Sequence, residues 1–160
     1  MPSPRLTDLH WQLQLARPFV AMGIVCVVAG GLVAAVTAMA PSEQGSWVAA
    51  YLVLVAGVAQ AALGAGQALL APAPPSRRVM ASEFAAWNAG NAAVLVGTLV
   101  DVMPVVDAGG GLLVIALALW IAEVHGVSRH GDWGLRLYRL LVGLLLVSIL
   151  IGLLLARTSL

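Results

Sequence analysis

From Pro18 to Ala40 the chain carries no charged side chain, and the same holds from Trp47 to Leu70 and from Leu140 to Ala156. As a helix rising about 1.5 Å per residue, a run of this kind crosses the roughly 30 Å of hydrocarbon in a bilayer. A backbone in hydrocarbon must satisfy its own N–H and C=O groups, which a helix does. The expected fold class is therefore all-α, a polytopic membrane protein. Composition agrees: only 9% of residues are charged, against about 25% in a soluble domain. No segment between the apolar runs is long enough to bury a separate core, so residues 1–160 are read as one membrane domain.

Five spans are expected, at about 18–40, 47–70, 82–101, 110–125 and 135–156. Ahead of them, residues 4–16 place Leu6, Leu9 and Leu13 at helical spacing with Asp8, Gln12 and Arg5 elsewhere on the wheel. This predicts a short amphipathic helix lying on the membrane surface and ending at Pro18. Ala38-Met39-Ala40 resembles a signal-peptide cleavage site. However, the apolar run exceeds the usual h-region of about 7–15 residues, and Pro41 would follow the scissile bond. Residues 41–46 read as a polar turn, 71–78 as a proline-rich basic connector, and 101–111, with Pro104 and three glycines, as a connector that dips into the outer leaflet. The fifth span, dense in Leu, Val and Ile, is expected to face lipid.

All eight basic residues are arginines. With the N-terminus inside, the inner segments hold Arg5, Arg17, Arg77, Arg78, Arg129, Arg136 and Arg139. The outer ones hold Glu43, Asp101, Asp107 and only Arg157. The positive-inside rule then predicts a bacterial-type inner-membrane protein with a cytoplasmic N-terminus and an outer C-terminus. A net charge of +1 gives no reason to expect a nucleic-acid partner, and the absence of lysine excludes Schiff-base chemistry. Cys26, inside the first run, reads as a small apolar filler.

The third span is the unusual one. On a helical wheel Glu83, Trp87, Asn91, Val94, Thr98 and Asp101 fall in one quadrant, while Ala85, Ala89, Ala93 and Gly97 form a stripe elsewhere. Ser82 is the expected N-cap. Small-residue stripes also occur at Gly30, Ala34 and Ala38 and at Gly57, Ala61 and Ala65. Such stripes let helix backbones approach closely, and they are expected to bring spans one to three together. The predicted topology puts Glu83, Trp87, Asn88, Asn91, Gln60 and Gln67 in the inner half or middle of their spans, with Trp120 and Glu123 near the inner end of span four. Intramembrane carboxylates are costly and face protein or water, which makes Glu123 the leading candidate. Together these eight residues are the candidate ligand-binding set.

Plainer readings stand beside this one. Glu83 fits a first-turn carboxylate favoured by the helix dipole. The four amides fit interhelical hydrogen bonding. Glu123 fits an ion pair with Arg129 or Arg136 near the headgroups. Trp11, Trp133 and Tyr138 fit interface anchors. His10, His125 and His130 share the inner face and are the candidates for a metal or haem, although no CxxCH or HExxH pattern supports them. No P-loop, GxSxG or paired-acid prenyltransferase pattern occurs, so no motif assigns an enzyme. Three functions follow: binding or passage of a small polar or protonatable solute through a cytoplasm-facing pocket, an accessory or assembly subunit of a larger membrane complex, or a haem- or metal-binding membrane protein. Besides the lipid bilayer, the expected partner is a second copy of the chain or the other subunits of a complex, because five spans are few for a complete alternating-access machine.

Overall fold

A computed structural model describes the backbone of residues 4–71, 73, 75–124 and 133–158, and the side chains of 12, 14–71, 73, 75–124 and 133–152. The described residues are helical, with no strand among them. The helices are α1 (Pro4–Met39), α2 (Glu43–Tyr51), a π-helical segment (Leu52–Ala59), α3 (Gln60–Leu70), α4 (Arg77–Leu99), α5 (Met103–Val124) and α6 (Trp133–Thr158). Among the described residues, four stretches are long and apolar enough to cross a membrane: Gln14–Met39, Glu43–Leu70, Met103–Val124 and Trp133–Gly152. α4 is not one of them, because Glu83, Asn88, Asn91 and Thr98 dilute its apolar residues.

Several predicted boundaries move. α1 continues through Pro18 without a break, so no separate surface helix ends there. Proline removes one i→i−4 hydrogen bond, but apolar helix on its C-terminal side holds the chain in register. α2 starts at Glu43, four residues before the predicted span, because the Ser42 hydroxyl accepts from the Gly45 N–H at 3.1 Å. α4 begins at Arg77 and is capped by Ser76, whose hydroxyl accepts from the Val79 N–H at 3.2 Å. Ser82 is therefore interior and exposed, and the helix start sits directly after Pro75, where the chain is already extended.

The predicted connector 101–111 is mostly helix. α4 closes in a Schellman-type cap: Val102 N–H donates to the Gly97 carbonyl at 2.8 Å, and Asp101 takes the left-handed position with φ 55°. α5 then starts at Met103 and contains all three glycines.

The chain divides into two compact units, Met1–Leu69 and Leu70–Leu160. In the first, α1 packs antiparallel to the helix that follows it. A Cβ on Gly23 would lie 2.8 Å from the Gly57 carbonyl, and one on Gly30 would lie 2.9 Å from the Ala49 carbonyl. Phe19 lies over Gly64, so these backbones touch where side chains are missing. Gly23, not Ala34 or Ala38, shares this face with Gly30; both alanines are exposed.

In the second unit α4 and α5 form a tight antiparallel pair. A Cβ on Gly109 would meet the Gly90 carbonyl and the Val94 N–H nitrogen, each at 2.8 Å, and one on Gly97 would meet the Val106 nitrogen at 2.8 Å. The close-packing face of α4 is thus Gly90, Ala93 and Gly97, while Ala85 and Ala89 are exposed. The small-residue contacts join the first span to the second, and α4 to α5. α6 turns Leu135, Tyr138 and Val142 inward at helical spacing, and Leu137, Leu140, Leu144 and Val147 outward, as a helix with one face to lipid would.

Candidate functional site

Glu83, Trp87 and Asn91 occupy successive turns on one face of α4, and all are buried. This is the inner part of the polar quadrant read from the sequence. The rest of that quadrant is different: Val94 is half-buried, Thr98 is exposed, and Asp101 lies beyond the helix end. Because α4 starts at Arg77, Glu83 is well past the first turn, and the N-terminal dipole does not account for it.

α5 meets this face with Trp120. The Trp87 and Trp120 rings lie 5.2 Å apart in an edge-to-face arrangement, and neither ring is exposed. Such a pair contributes about 0.5–1.5 kcal/mol beyond the area it buries. α6, which packs on α5, buries Tyr138 in the same unit and within electrostatic range of Glu83. Tyr138 is 5% exposed, so it is not an interface anchor. Sequence reading missed it because an aromatic ring between Arg136 and Arg139 reads equally well as an interface anchor. Trp133, at 75% exposure, is free to sit at an interface.

Each of the two asparagines of α4 returns an amide N–H to its own helix. Asn88 donates to the Phe84 carbonyl and Asn91 to the Trp87 carbonyl, each at 2.8 Å and each within α4. An amide carries two N–H donors, so Asn91 retains one of them together with its carbonyl oxygen. That oxygen, the Trp87 Nε1 and the Tyr138 hydroxyl are all buried without a hydrogen bond among the described residues. Leaving such groups unmet costs roughly 1–3 kcal/mol each.

Glu123 is half-buried, one turn past Trp120 and next to the last residue of α5; it is not among the fully buried groups. Arg136, one of its proposed ion-pair partners, is exposed, and Arg129 lies outside the described residues. Gln60 and Gln67 are buried on one face of α3 in the first unit. Gln60 follows the π-helical segment directly, and neither of its amide atoms has a hydrogen bond among the described residues. His125 and His130 lie outside the described residues, as does the side chain of His10.

No protein-family model, curated protein or solved structure matches this chain.

Proposed function

We propose that this is a five-span protein of a bacterial-type inner membrane, with a cytoplasmic N-terminus and an outer C-terminus, that binds or passes a small polar or protonatable solute. α4 is the span that apolar content alone fails to reveal. Its 23 residues extend about 35 Å at 1.5 Å per residue, enough to cross. It also lies against α5 from the Gly97–Val106 contact near the turn to the Trp87–Trp120 pair. A helix paired along a membrane span shares its depth, and the polar residues that lower its apolar content are the buried ones.

The observation that carries the function is the run of Glu83, Trp87 and Asn91 along one buried face, with Trp120 set against it and Tyr138 buried within electrostatic range of Glu83. Polar groups inside a membrane protein are costly and mark binding sites or solute paths. Glu83 supplies charge, the Asn91 carbonyl and the Tyr138 hydroxyl supply hydrogen bonds, and the indoles supply apolar walls. The seven-to-one distribution of arginines supports an orientation with the Arg77 end of α4, and with it Glu83, on the cytoplasmic side. The test is solid-supported-membrane electrophysiology on proteoliposomes, with jumps of ammonium chloride and of sodium acetate at constant pH. A transient current that falls at least tenfold in Glu83→Gln is expected. No current with either probe, or an unchanged current in Glu83→Gln, overturns the reading.

A second reading has its own observation. Ala81, Ala85, Ala89 and Ala92 are all exposed on α4, and a small-residue face of this kind admits another helix backbone. It favours a homo-oligomer or an accessory subunit of a larger complex. Native mass spectrometry from mild detergent, which reports copy number and co-purifying chains, decides between this and a monomer.

A further inference from the structure

We propose that the start of α6 is a seat for an anionic phospholipid, with its phosphate on Arg136 and Arg139 and an acyl chain laid along the exposed side of the helix at Gly143. The inference goes beyond the solute reading and does not depend on it. It needs only α6 as a membrane span, and α6 is among the stretches apolar enough to cross. Its exposed side has the layout of a phospholipid read from the head. Trp133, Arg136 and Arg139 are exposed in its first two turns, and Leu140, Leu144, Val147 and Ile151 are exposed beyond them.

Depth makes the two cations costly on their own. The charge-free run 140–156 extends about 25 Å at 1.5 Å per residue, short of the roughly 30 Å of hydrocarbon. Arg139 therefore stands at the hydrocarbon edge, its stem along the helix and its guanidinium reaching back toward the headgroups. A charge at that depth is expensive unless it meets an opposite one. The helix supplies none: α6 has no acid in its first turn, where a helix start favours one. Of the described acids at this end, Glu83 is fully buried and Glu123 half-buried. Lipid phosphate lies at the required depth, and a guanidinium meets it with two parallel N–H donors. Arg136 and Arg139 are one turn apart, so both reach one phosphate.

Net charge selects the headgroup. Arg77 and Arg78 are exposed at the start of α4. That start lies at the same end of the unit as the start of α6, since Tyr138, early in α6, is within electrostatic range of Glu83, early in α4. Four arginines thus raise the positive potential there. It repels the ammonium of a zwitterionic headgroup and attracts a headgroup whose only charge is its phosphate. The acyl chain has a place as well. Positions 136, 139, 143 and 147 fall along one side of α6. A Cβ on Gly143 would meet nothing within 4 Å, and its surface neighbours Leu140 and Val147 are 70% and 51% exposed. The absent side chain leaves a notch between two apolar ones, directly below the arginines.

Competition between two lipids tests this. The full chain in mild detergent is titrated with phosphatidylglycerol and phosphatidylethanolamine of matched acyl chains, and the retained adducts are counted by native mass spectrometry. Phosphatidylglycerol should be retained about fivefold more or better, the factor expected when each arginine near the surface contributes about 1 kcal/mol. The preference should vanish in Arg136→Gln/Arg139→Gln and persist in Arg17→Gln, a substitution of an exposed arginine in the other compact unit. Gly143→Leu, which fills the notch and leaves the arginines, should lower phosphatidylglycerol retention. A millimolar excess of inorganic phosphate should displace nothing, because it lacks the acyl chain. Equal retention of the two lipids, a preference unchanged in the double variant, or displacement by free phosphate overturns the lipid seat. If the double variant does not fold, Gly143→Leu decides, and unchanged retention there overturns it. The currents that depend on Glu83 are unaffected by any of these results, so the two readings stand or fall separately.

Discussion

At the scale of single residues, the turn between α4 and α5 shows how a local choice reads out in the fold. Asp101 occupies a left-handed backbone position, φ 55°, that glycine usually fills. Asp tolerates it better than most side chains, but not without strain. Asp101→Gly should therefore raise stability by about 0.5–1 kcal/mol, and Asp101→Val should lower it by about 1–2 kcal/mol, since a branched Cβ is worst placed there. Reversible unfolding in mixed micelles would measure both. An Asp101→Val protein as stable as the parent contradicts the cap geometry. The same position shows why wheel patterns overreach: Asp101 continues the Glu83 quadrant on paper, yet the helix has already ended. Tyr138 fails in the opposite direction. Between Arg136 and Arg139 it reads as an interface anchor, and its burial is decided by packing against segments that the local sequence does not show.

At the scale of elements, glycine separates contact from tolerance. Gly90 and Gly109 sit where two backbones touch, and a methyl on either would press within 3 Å of a carbonyl oxygen. Gly111, two residues on, meets nothing within 4 Å. Gly109→Ala should cost about 1–3 kcal/mol by overpacking. Gly111→Ala should be neutral or gain up to about 1 kcal/mol from helix propensity. Comparing the two by the same unfolding assay removes any general effect of alanine, and equal costs would contradict the α4–α5 contact. In sequence the three consecutive glycines read as a loop because glycine is a poor helix former in water. Among packed helices they are the residues that permit contact, and the helix runs through them. Ser76 and Ser82 make a similar pair: both are plausible caps, and the choice fell to the one directly after Pro75.

At the scale of the whole molecule, the number of crossings fixes where the chain ends. With α4 as a span there are five, and the C-terminus lies opposite the N-terminus; without it there are four, and both lie on one side. A single cysteine at Ser159 in a Cys26→Ser background should react with an impermeant maleimide added outside spheroplasts; labelling only after lysis would remove α4 from the membrane. The sequence alone determined the class of object, because charge-free runs of more than twenty residues leave a helix in lipid as the economical solution. It also determined the inner polar face of α4, because helical periodicity puts Glu83, Trp87 and Asn91 on one side whatever they touch. Tertiary structure decided which side of each remaining helix is inward, which small residues make contact, and which polar groups gather. Those outcomes depend on pairwise fit between distant segments: Gly90 on Gly109, and Trp87 on Trp120. An apolar helix carries no periodic signal of its neighbours when lipid and protein are equally apolar.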